Sequence, residues 1–432
     1  MIHIIRNGSD RVLFLTNRLE FYRINEHTDE IINAMLQNID HSIIERRYST
    51  SSEEIASIKK VLKRDEQLAI IATEYPILRK LILNISNSCN LQCEYCYANG
   101  GNYHSKDSLM DSATAKDAID KFIYMFKEIQ YVQFFGGEPL LNYQLMEYVC
   151  EYITNLYKTE KIHIMPQFGI VTNGTIINDD ILRILSVYNI AVTISCDGPR
   201  EINDKLRVNK NHEGVYCIIS KNIERIQKEA NILPNIEVTY TKYHHDQGIK
   251  IVDLLNFFKK RFNIENVHVA PVSIEKTHEL ALANYEDFLE TISSENIKKN
   301  NIIFKVRNII YNLQHKCGDC KICGAGTDTF SVNVDGNVYP CFMMTDIEAH
   351  NIANTKMNKD EFMNRLKKAK NTYSFNKCKQ LPCSNCFNNL LCNGCMGSNY
   401  FETNDPFVPS GEQCKFLKEL TERVILELSN LK

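Results

Sequence analysis

Long apolar runs and blocks of like charge are the features that this sequence lacks. No apolar stretch reaches the roughly 18 residues that a membrane-spanning helix requires. The first residues, MIHIIRNGSD, do not form the basic and then apolar pattern of a secretory signal. The net charge is −3, with no run of one sign, which argues against a basic surface for nucleic acid or membranes. We therefore expect a soluble, cytoplasmic protein with neither of these partners.

Low-complexity segments and internal repeats are also absent, and the chain divides instead into four segments. Residues 1–80 carry β-like runs followed by helical patterns, which predicts a small α+β module. In residues 81–275 six apolar strands alternate with amphipathic helices, a pattern typical of a parallel sheet or open barrel with its chemistry at the carboxyl ends of the strands. Residues 276–316 are predicted to be a helical linker, and residues 317–432 form a cysteine-rich tail.

The periodicity of apolar residues gives bounds for each predicted element. The predicted barrel strands are 81–86, 131–135, 168–172, 191–195, 236–241 and 267–270, with helices at 111–129, 143–157, 179–188 and 247–262. The predicted N-terminal strands are 2–6, 11–15 and 20–24, with helices at about 25–36 and 52–68. The linker helix is expected at about 285–313 and a closing helix at 414–431.

Cysteine is the residue type with the most uneven distribution. Thirteen of the sixteen cysteines lie in two sets, at 89–96 and at 317–414. A disulfide framework belongs to small secreted domains, whereas short spacings in a long intracellular chain are typical of metal sites. The other three, Cys150, Cys196 and Cys217, stand alone in apolar or strand-like surroundings, and we expect them to be small buried hydrophobic residues.

The first set, Cys89, Cys93 and Cys96, follows the first predicted barrel strand with C-x3-C-x2-C spacing. Three thiolates do not complete a tetrahedral zinc site, and only His104 lies nearby as a further ligand. An iron–sulfur cluster with three protein thiolates keeps one iron open, and that iron can bind a substrate directly. The spacing therefore favours a cluster over zinc.

A glycine motif follows the second predicted strand and consists of Gly136, Gly137, Glu138 and Pro139. The glycines let the backbone approach a ligand closely, and Glu138 offers an acceptor for an ammonium group. On its own such a motif would be an ordinary turn. Its place at the end of a barrel strand makes it a candidate binding motif.

Polar residues also follow the fourth predicted strand. Ser195 and Asp197 have short side chains that suit either ribose hydroxyl groups or a capped turn. Arg207 is either a surface charge or the partner of a ligand carboxylate. The residues alone leave both alternatives open.

Taken in order, these motifs resemble the signature of radical S-adenosylmethionine (SAM) enzymes, with Tyr95 as the aromatic residue before the third cysteine. The resemblance implies an α/β fold with a partial (β/α)6 TIM-like barrel and a 4Fe–4S cluster on the cysteine loop. It also implies that Tyr95 contributes to the cofactor site, that residues 136–139 bind the SAM amino group, that Ser195 and Asp197 bind its ribose, and that Arg207 pairs with its carboxylate. The implied reaction is reductive cleavage of SAM to a 5′-deoxyadenosyl radical, which abstracts a substrate hydrogen.

The second set places ten cysteines within about 100 residues, too many for a role in packing. Two zinc sites would need eight, so zinc ribbons are the alternative. The tail is similar to the SPASM domain, a C-terminal extension of radical SAM maturases that holds two auxiliary 4Fe–4S clusters. The resemblance implies ligands Cys317, Cys323, Cys341 and Cys395 for the first cluster, and Cys383, Cys386, Cys392 and Cys414 for the second.

Two details of the tail depart from the SPASM pattern. Cys392 and Cys395 are separated by two residues, where the family usually has three, which weakens the assignment of Cys395. Cys320 and Cys378 are left over. Each of them is an alternate cluster ligand, a thiol that approaches a cluster from outside, or a plain thiol, and the sequence leaves these alternatives open.

The N-terminal module resembles the RiPP recognition element, a winged-helix-like module that captures leader peptides by adding a strand to its sheet. The alternative is a structural cap on the barrel. The resemblance implies a ribosomally synthesised precursor peptide as substrate, bound through its leader. The implied reaction is oxidative crosslinking, with a cysteine thioether of the sactipeptide or ranthipeptide type first and a carbon–carbon or carbon–oxygen link next. A reductant such as flavodoxin or ferredoxin is the expected electron donor.

Two rival functions remain open. An anaerobic sulfatase-maturating enzyme shares both cluster domains. In that family, however, the residue directly after the cysteine of the first SPASM half is an aspartate that acts as a base. Here Phe342 follows Cys341, so the rival lacks its base. A non-catalytic zinc or iron–sulfur scaffold explains the tail, but it does not explain the motifs that follow successive barrel strands.

Overall fold

The structure is a computed structural model that describes residues 1–63, 77–103 and 105–431. The predicted helix at 52–68 lies outside the described residues after position 63, and so does His104. Among the described residues, no helix combines the length and the apolar character needed to cross a membrane.

The N-terminal module is a three-stranded antiparallel sheet followed by three helices. Its elements are β1 (Ile2–Asn7), β2 (Asp10–Leu15), β3 (Glu20–Ile24), α1 (Glu26–Leu36), α2 (His41–Tyr48) and α3 (Ser52–Leu62). The strand order is β1–β2–β3, so β1 and β3 are the edges. Leu13 and Leu15 of β2 pack with Ile32 of α1, whereas Val12 and Phe14 on the opposite face belong to the main core. Side chains on the two faces of β2 therefore pack against different partners, and one face connects the module to the rest of the protein.

The central part is an open parallel sheet with helices on its outer face. Its elements are β4 (Ile77–Leu78), β5 (Lys80–Ser86), α4 (Ser112–Phe126), β6 (Glu128–Ile129), β7 (Tyr131–Gly136), α5 (Tyr143–Lys158), β8 (Gln167–Thr172), α6 (Asp179–Val187), β9 (Ala191–Ser195), α7 (Arg200–Leu206), α8 (Tyr216–Glu229), β10 (Asn235–Tyr240), α9 (Lys242–Asp246), α10 (Ile251–Phe262) and β11 (Val267–Pro271). Strands β11, β10, β9, β8, β7 and β5 are adjacent in that order, and every pair is parallel. This arrangement confirms the predicted α/β partial barrel.

Polar caps fix where several of these helices begin. Asn25, Asp40, Ser51, Asp111 and Asn178 each precede a helix, and each side chain accepts a hydrogen bond from a backbone N–H two or three residues further on. Such caps satisfy donors that the first helical turn leaves without intrahelical partners. The helix starts therefore follow from local sequence.

The two faces of the barrel strands differ in character. In β10, Ile236 and Val238 are buried in the core against the helices, while Glu237 and Thr239 remain partly exposed. His268 of β11 is likewise partly exposed between buried valines. Because side chains alternate along a strand, the partly exposed set faces the barrel interior.

The tail adds helices and extends the barrel sheet. Its elements are α11 (Glu286–Leu289), α12 (Ser294–Lys298), α13 (Phe304–His315), β12 (Thr329–Val332), β13 (Asn337–Tyr339), β14 (Ala353–Asn354), α14 (Lys359–Thr372), α15 (Met396–Thr403) and α16 (Gly411–Asn430). Strand β12 pairs in parallel with β5, and β13 and β14 follow antiparallel, which gives nine strands. Helix α16 contacts α11, α12 and α13 as well as β2 and β3.

The predicted linker helix is three separate helices in the structure. Asn300, with φ of 54°, follows α12, and the Ser293 side chain caps the start of that helix. A left-handed residue ends a helix, and a cap begins a new one. The closing helix starts at Gly411 after the cap Ser410, three residues earlier than expected.

Candidate active site

The cysteine loop leaves the carboxyl end of β5 and is held against the segment that follows α7. The backbone N–H of Gln92 donates to the carbonyl of Val208 at 2.8 Å, and that of Glu94 donates to the carbonyl of Leu206 at 3.1 Å. These bonds give the loop a defined backbone at the edge where the parallel strands end.

The three thiols of the loop, Cys89, Cys93 and Cys96, are partly buried. Burial raises the pKa of Cys89 to about 11 and that of Cys93 to about 12. Thiols with such values become thiolates near neutral pH when a metal binds them. Asn173 Nδ2 lies 3.7 Å from Cys89 Sγ. Asn173 was not among the expected site residues, although its position directly after the third barrel strand is a signal of the same kind.

The donor set fits a cluster better than a single metal ion. Within residues 1–63, 77–103 and 105–431, no three His, Cys, Asp or Glu side chains converge on one ion position. Zinc needs such convergence, whereas the thiolates of a cluster each bind a different iron. In the same residues, the buried oxygens Asn84 Oδ1 and Asn87 Oδ1 near the end of β5 have no hydrogen-bond partner. Buried polar atoms of this kind suit a polar ligand beside the loop.

The glycine motif packs directly on the cysteine loop. The N–H of Gly137 donates to the carbonyl of Ser86 and the N–H of Glu138 to that of Ser88, both at 2.8 Å. A methyl group on Gly136 would collide with the Ser86 oxygen, and one on Gly137 would collide with the Ser88 oxygen. Gly136 also has φ of +131°, a region that favours glycine. The two glycines thus allow their backbone to lie close to the cysteine loop.

Glu138 occupies a different position from the one expected of an ammonium acceptor. Its side chain is fully buried, and Oε1 accepts from Leu140 N at 2.9 Å and from Thr172 Oγ1 at 2.7 Å. Oε2 accepts from Asn173 N at 2.8 Å. Burial raises the pKa of Glu138 to about 7. Pro139 begins the turn that follows β7. The Glu138 carboxylate therefore connects this turn to the turn that follows β8.

Asp197, Arg207 and Tyr95 form a buried network behind the cysteine loop. Asp197 Oδ2 accepts from Tyr95 Oη at 2.6 Å and from Arg207 Nε at 2.9 Å, and Oδ1 accepts from Thr239 N at 3.0 Å. Arg207 is 6% exposed, so its interpretation as a surface charge is wrong. Asp197 is fully buried among these donors, which is not the position expected of a ribose ligand. Ser195 stays partly exposed on the interior face.

The tail brings the four cysteines of the second expected auxiliary set together. Burial raises the pKa of Cys414 to about 11, and the thiols of Cys392, Cys383 and Cys386 also act on it. Burial raises the pKa of Cys383 as well, with further contributions from Cys392 and Cys386. All four thiols therefore lie close enough together to affect one another electrostatically.

In the first expected auxiliary set, three of the four cysteines are seen to interact. Burial raises the pKa of Cys341, and the thiols of Cys395 and Cys323 raise it further. Cys395 thus lies with this set although in sequence it falls between Cys392 and Cys414 of the second set. The Cys317 thiol donates instead to Asn312 Oδ1, with Sγ and Oδ1 3.5 Å apart.

The two leftover cysteines are joined to each other. Cys320 and Cys378 form a disulfide with Cα atoms 5.4 Å apart. The expectation that either is an alternate cluster ligand is therefore corrected, because each sulfur already has a covalent partner. Next to this bond, the buried Lys377 Nζ donates to the carbonyl of Cys392 at 2.6 Å.

The isolated cysteines follow their expectation in two cases of three. Cys150 and Cys196 are buried, as their apolar surroundings indicate. Cys217 is exposed, so its expected burial is wrong. It lies in the first turn of α8, and Ile219 two positions on faces the core instead.

Known proteins are similar to this chain in its central region and, for some relatives, over most of its length. Residues 83–241 match the family model described as the Radical SAM superfamily. An uncharacterised protein of Methanocaldococcus jannaschii is 35% identical over 279 residues, which cover 61% of this chain and 85% of that protein. A cysteine-type anaerobic sulfatase-maturating enzyme of Clostridium novyi (strain NT) is 29% identical over 376 residues, which cover 82% of this chain and 96% of that enzyme.

Two solved structures share the fold over most of the chain. Native anSMEcpe with bound AdoMet has a TM-score of 0.66 at 20% identity and covers 82% of this chain and 100% of its own. Streptococcus suis SuiB bound to precursor peptide SuiA has a TM-score of 0.55 at 14% identity and covers 96% and 98%. At these identities the likeness concerns the fold alone.

Proposed function

Because the chain belongs to the radical SAM superfamily of enzymes, we propose that it is a peptide maturase that oxidatively crosslinks a ribosomally synthesised precursor peptide. The proposed product is a cysteine thioether. The superfamily implies SAM and a 4Fe–4S cluster, which Cys89, Cys93 and Cys96 would hold. When bound, these groups supply a 5′-deoxyadenosyl radical that removes a hydrogen atom from the substrate.

In this proposal the SAM-binding surface lies at the carboxyl ends of β7 and β9, where residues 136–139 and Ser195 are found. Ser195 is the proposed ribose contact, because it is partly exposed toward the interior. Glu138, Asp197 and Arg207 act from beneath this surface through their hydrogen bonds to neighbouring turns. Their task is to hold the loop and the strand ends in place, since preorganised groups lose no free energy in reorganisation during the reaction.

The two groups of tail cysteines are the proposed ligands of two auxiliary 4Fe–4S clusters. Forming a new bond after removal of one hydrogen leaves one electron to be taken up, and clusters of this kind accept single electrons. A flavodoxin or ferredoxin is the proposed external electron donor, and the cytoplasm is the proposed location. Neither nucleic acid nor membrane is part of this proposal.

The architecture of the N-terminal module is the observation that supports a peptide as the substrate. Strand β3 is an edge of the three-stranded sheet, and three helices follow it. Its residue Tyr22 is 42% exposed. An edge strand offers main-chain donors and acceptors to an added strand, which is a common way to bind an extended peptide. The edge position of β3 therefore supports the proposal that the substrate is a ribosomal peptide bound through its leader.

A second candidate function is formylglycine formation in a sulfatase. The relative from Clostridium novyi favours it, since 96% of that enzyme is covered. The residue after Cys341 disfavours it. Phe342 packs its ring 4.7 Å from the ring of Phe135, so this position carries an aromatic contact and no proton acceptor.

Mass spectrometry of the products separates these functions. The protein is loaded anaerobically with iron and sulfide and incubated with SAM and a reductant. Parallel reactions receive the cysteine-containing precursor peptide encoded beside its gene or a sulfatase peptide. The proposed function predicts 5′-deoxyadenosine and a peptide lighter by two hydrogens with its cysteine no longer alkylatable. A sulfatase peptide converted to formylglycine, with the precursor peptide unchanged, would instead establish the second candidate.

A further inference from the structure

A carboxylate and an imidazole lie side by side on the inner face of the barrel. Glu237 of β10 and His268 of β11 are partners in the register of these parallel strands. His268 Nδ1 is 3.5 Å from Glu237 Oε1. Their sequence neighbours Ile236 and Val267 point outward into the core, so the alternation of the strands directs both polar side chains inward.

The pair lies at the depth of the proposed SAM-binding surface. Glu237 is in register with Ser195, the last residue of β9. Glu237 is partly exposed between the buried Ile236 and Val238, so its carboxylate faces the interior at the level where β9 ends.

Both side chains are accessible from the interior. Glu237 and His268 retain 34% and 45% of their side-chain exposure. The His268 ring meets the ring of Phe304 of α13 edge to face at 5.9 Å. Among the described residues, neither side chain is engaged by a hydrogen bond to another protein group. A polar pair that serves no structural bond in this position is placed to act on a substrate.

We propose that the Glu237–His268 pair accepts the thiol proton of a substrate cysteine bound in the barrel. Nδ1 faces the carboxylate, so Nε2 is the acceptor, and the carboxylate stabilises the imidazolium that forms. One proton moves from sulfur to Nε2, and the electron pair stays on sulfur as a thiolate. When this thiolate bonds to the substrate carbon that has lost its hydrogen atom, one electron is left over, and a tail cluster would take it up as proposed above. The role rests on the proposed function, because it presupposes a cysteine-containing substrate.

The test compares His268→Gln and Glu237→Gln with the wild-type enzyme and with His245→Gln. His245 is a matched control, because it also pairs with a carboxylate, Asp287 Oδ2 at 2.9 Å, but its side chain is exposed on helix α9, outside the barrel interior. Each reconstituted protein receives SAM, a reductant and the precursor peptide, synthesised with deuterium on carbon. Peptide affinity, deuterium transfer into 5′-deoxyadenosine and the rate of mature peptide formation are measured separately.

A proton acceptor acts after substrate binding and separately from hydrogen abstraction. We expect His268→Gln to keep peptide affinity and deuterium transfer, while mature peptide forms about 100-fold or more slowly, the usual range for loss of a general base. Glu237→Gln should show a smaller loss, and His245→Gln none. This combination of results would support the assignment.

Three results would overturn it. Mature peptide from His268→Gln at a rate within threefold of the wild-type rate would show that the imidazole accepts no essential proton. Equal loss of peptide affinity, deuterium transfer and product would show that the pair only positions the substrate. A wild-type enzyme that cleaves SAM and leaves the peptide unchanged would overturn the proposed function itself, and this role with it.

Discussion

At the scale of single residues, Glu138 supports the site through its protein partners. Its fully buried carboxylate accepts three hydrogen bonds, from Leu140, Thr172 and Asn173. A sequence motif indicates that a glutamate lies near a ligand, but it does not indicate which groups saturate its oxygens. The partners come from the turn after a neighbouring strand, and only the folded sheet brings that turn into contact.

The raised pKa of Glu138 makes a prediction about stability. Burial raises this pKa from 4.5 to about 7, so the folded protein binds the proton more tightly than the unfolded chain does. The resulting stabilisation is complete below pH 4.5 and is lost as the pH rises to about 7. We expect the advantage of wild type over Glu138→Gln in free energy of unfolding to shrink by roughly 3 kcal/mol across this interval.

Urea unfolding of the cluster-free proteins at several pH values measures this difference. The Gln variant is the reference that cancels the titration of all other groups. A wild-type advantage that grows with pH would contradict the raised pKa. It would show that the three hydrogen bonds favour the carboxylate more than burial disfavours it.

Gly137 makes a second prediction at this scale. Alanine at position 137 places a methyl group against the Ser88 carbonyl of the cysteine loop, and backbone cannot move away cheaply. We expect Gly137→Ala to lose the iron of the loop and SAM cleavage while the tail iron remains. Gly411→Ala is the matched control, because a methyl group there meets no atom within 4 Å.

Iron content and 5′-deoxyadenosine yield are the two measurements for this pair of variants. Both should be normal in Gly411→Ala. Normal SAM cleavage by Gly137→Ala would mean that the loop tolerates displacement of its backbone. The close contact between the glycine motif and the loop would then not be required for SAM cleavage.

At the scale of elements, the barrel strands were the most predictable part of the fold. The strand Ala191–Ser195 has the predicted bounds, four others differ by one residue at one end, and Asn235–Tyr240 differs by one residue at both ends. Parallel strands with both faces covered are short apolar runs bounded by polar residues, and such runs are visible in sequence. The pairing of Thr329–Val332 with β5 was not predicted, because local pattern contains no information about a partner more than 240 residues away.

The partners of the site side chains were also beyond prediction. The SAM signature led to Tyr95, Asp197 and Arg207 as separate ligand contacts, but the structure joins them to one another. Their meeting depends on how the cysteine loop and the end of α7 pack. Glu237 and His268 were missed because single polar residues in apolar strands have no local motif.

The edge strand β3 carries a prediction about leader binding. A peptide strand added to this edge would lie beside the exposed Tyr22 side chain. Because cross-strand pairs contribute roughly 0.2–1 kcal/mol, we expect Tyr22→Ala to weaken precursor peptide affinity up to about fivefold. SAM cleavage without peptide should not change, because the barrel is untouched.

Tyr157→Ala is the matched control for this prediction. Tyr157 is as exposed as Tyr22, at 45% against 42%, but it lies on the barrel helix α5. Fluorescence anisotropy with a labelled leader peptide gives both affinities. Equal affinities of the two variants would remove β3 from the leader-binding site and favour the module as a structural cap.

At the scale of the whole molecule, the three parts of the chain share one core. Val12 and Phe14 of the N-terminal module belong to the same buried cluster as the barrel strands. Strand β12 of the tail continues the barrel sheet. Deleting the N-terminal module would therefore expose part of this core, so point variants on β3 are the sharper test of its role.

The disulfide in the tail makes a prediction about cluster content. Because Cys320 and Cys378 bind each other, neither is available as a cluster ligand. We expect the double variant Cys320→Ser/Cys378→Ser to keep the full iron content after reconstitution. As a comparison, Cys383→Ser/Cys392→Ser should lose the iron of one auxiliary cluster, since these thiols lie in the second group. Loss of iron from the first double variant would restore these two cysteines as ligands.

The most direct test of the central claim is the yield of 5′-deoxyadenosine from reconstituted protein, measured together with bound iron. The claim is that the loop with Cys89, Cys93 and Cys96 holds the cluster that cleaves SAM. We predict that the wild-type protein forms 5′-deoxyadenosine, and that the variant with all three cysteines replaced by alanine forms none while keeping the tail iron. Full SAM cleavage by that variant, or none by a wild-type protein with its full complement of iron, would contradict the account.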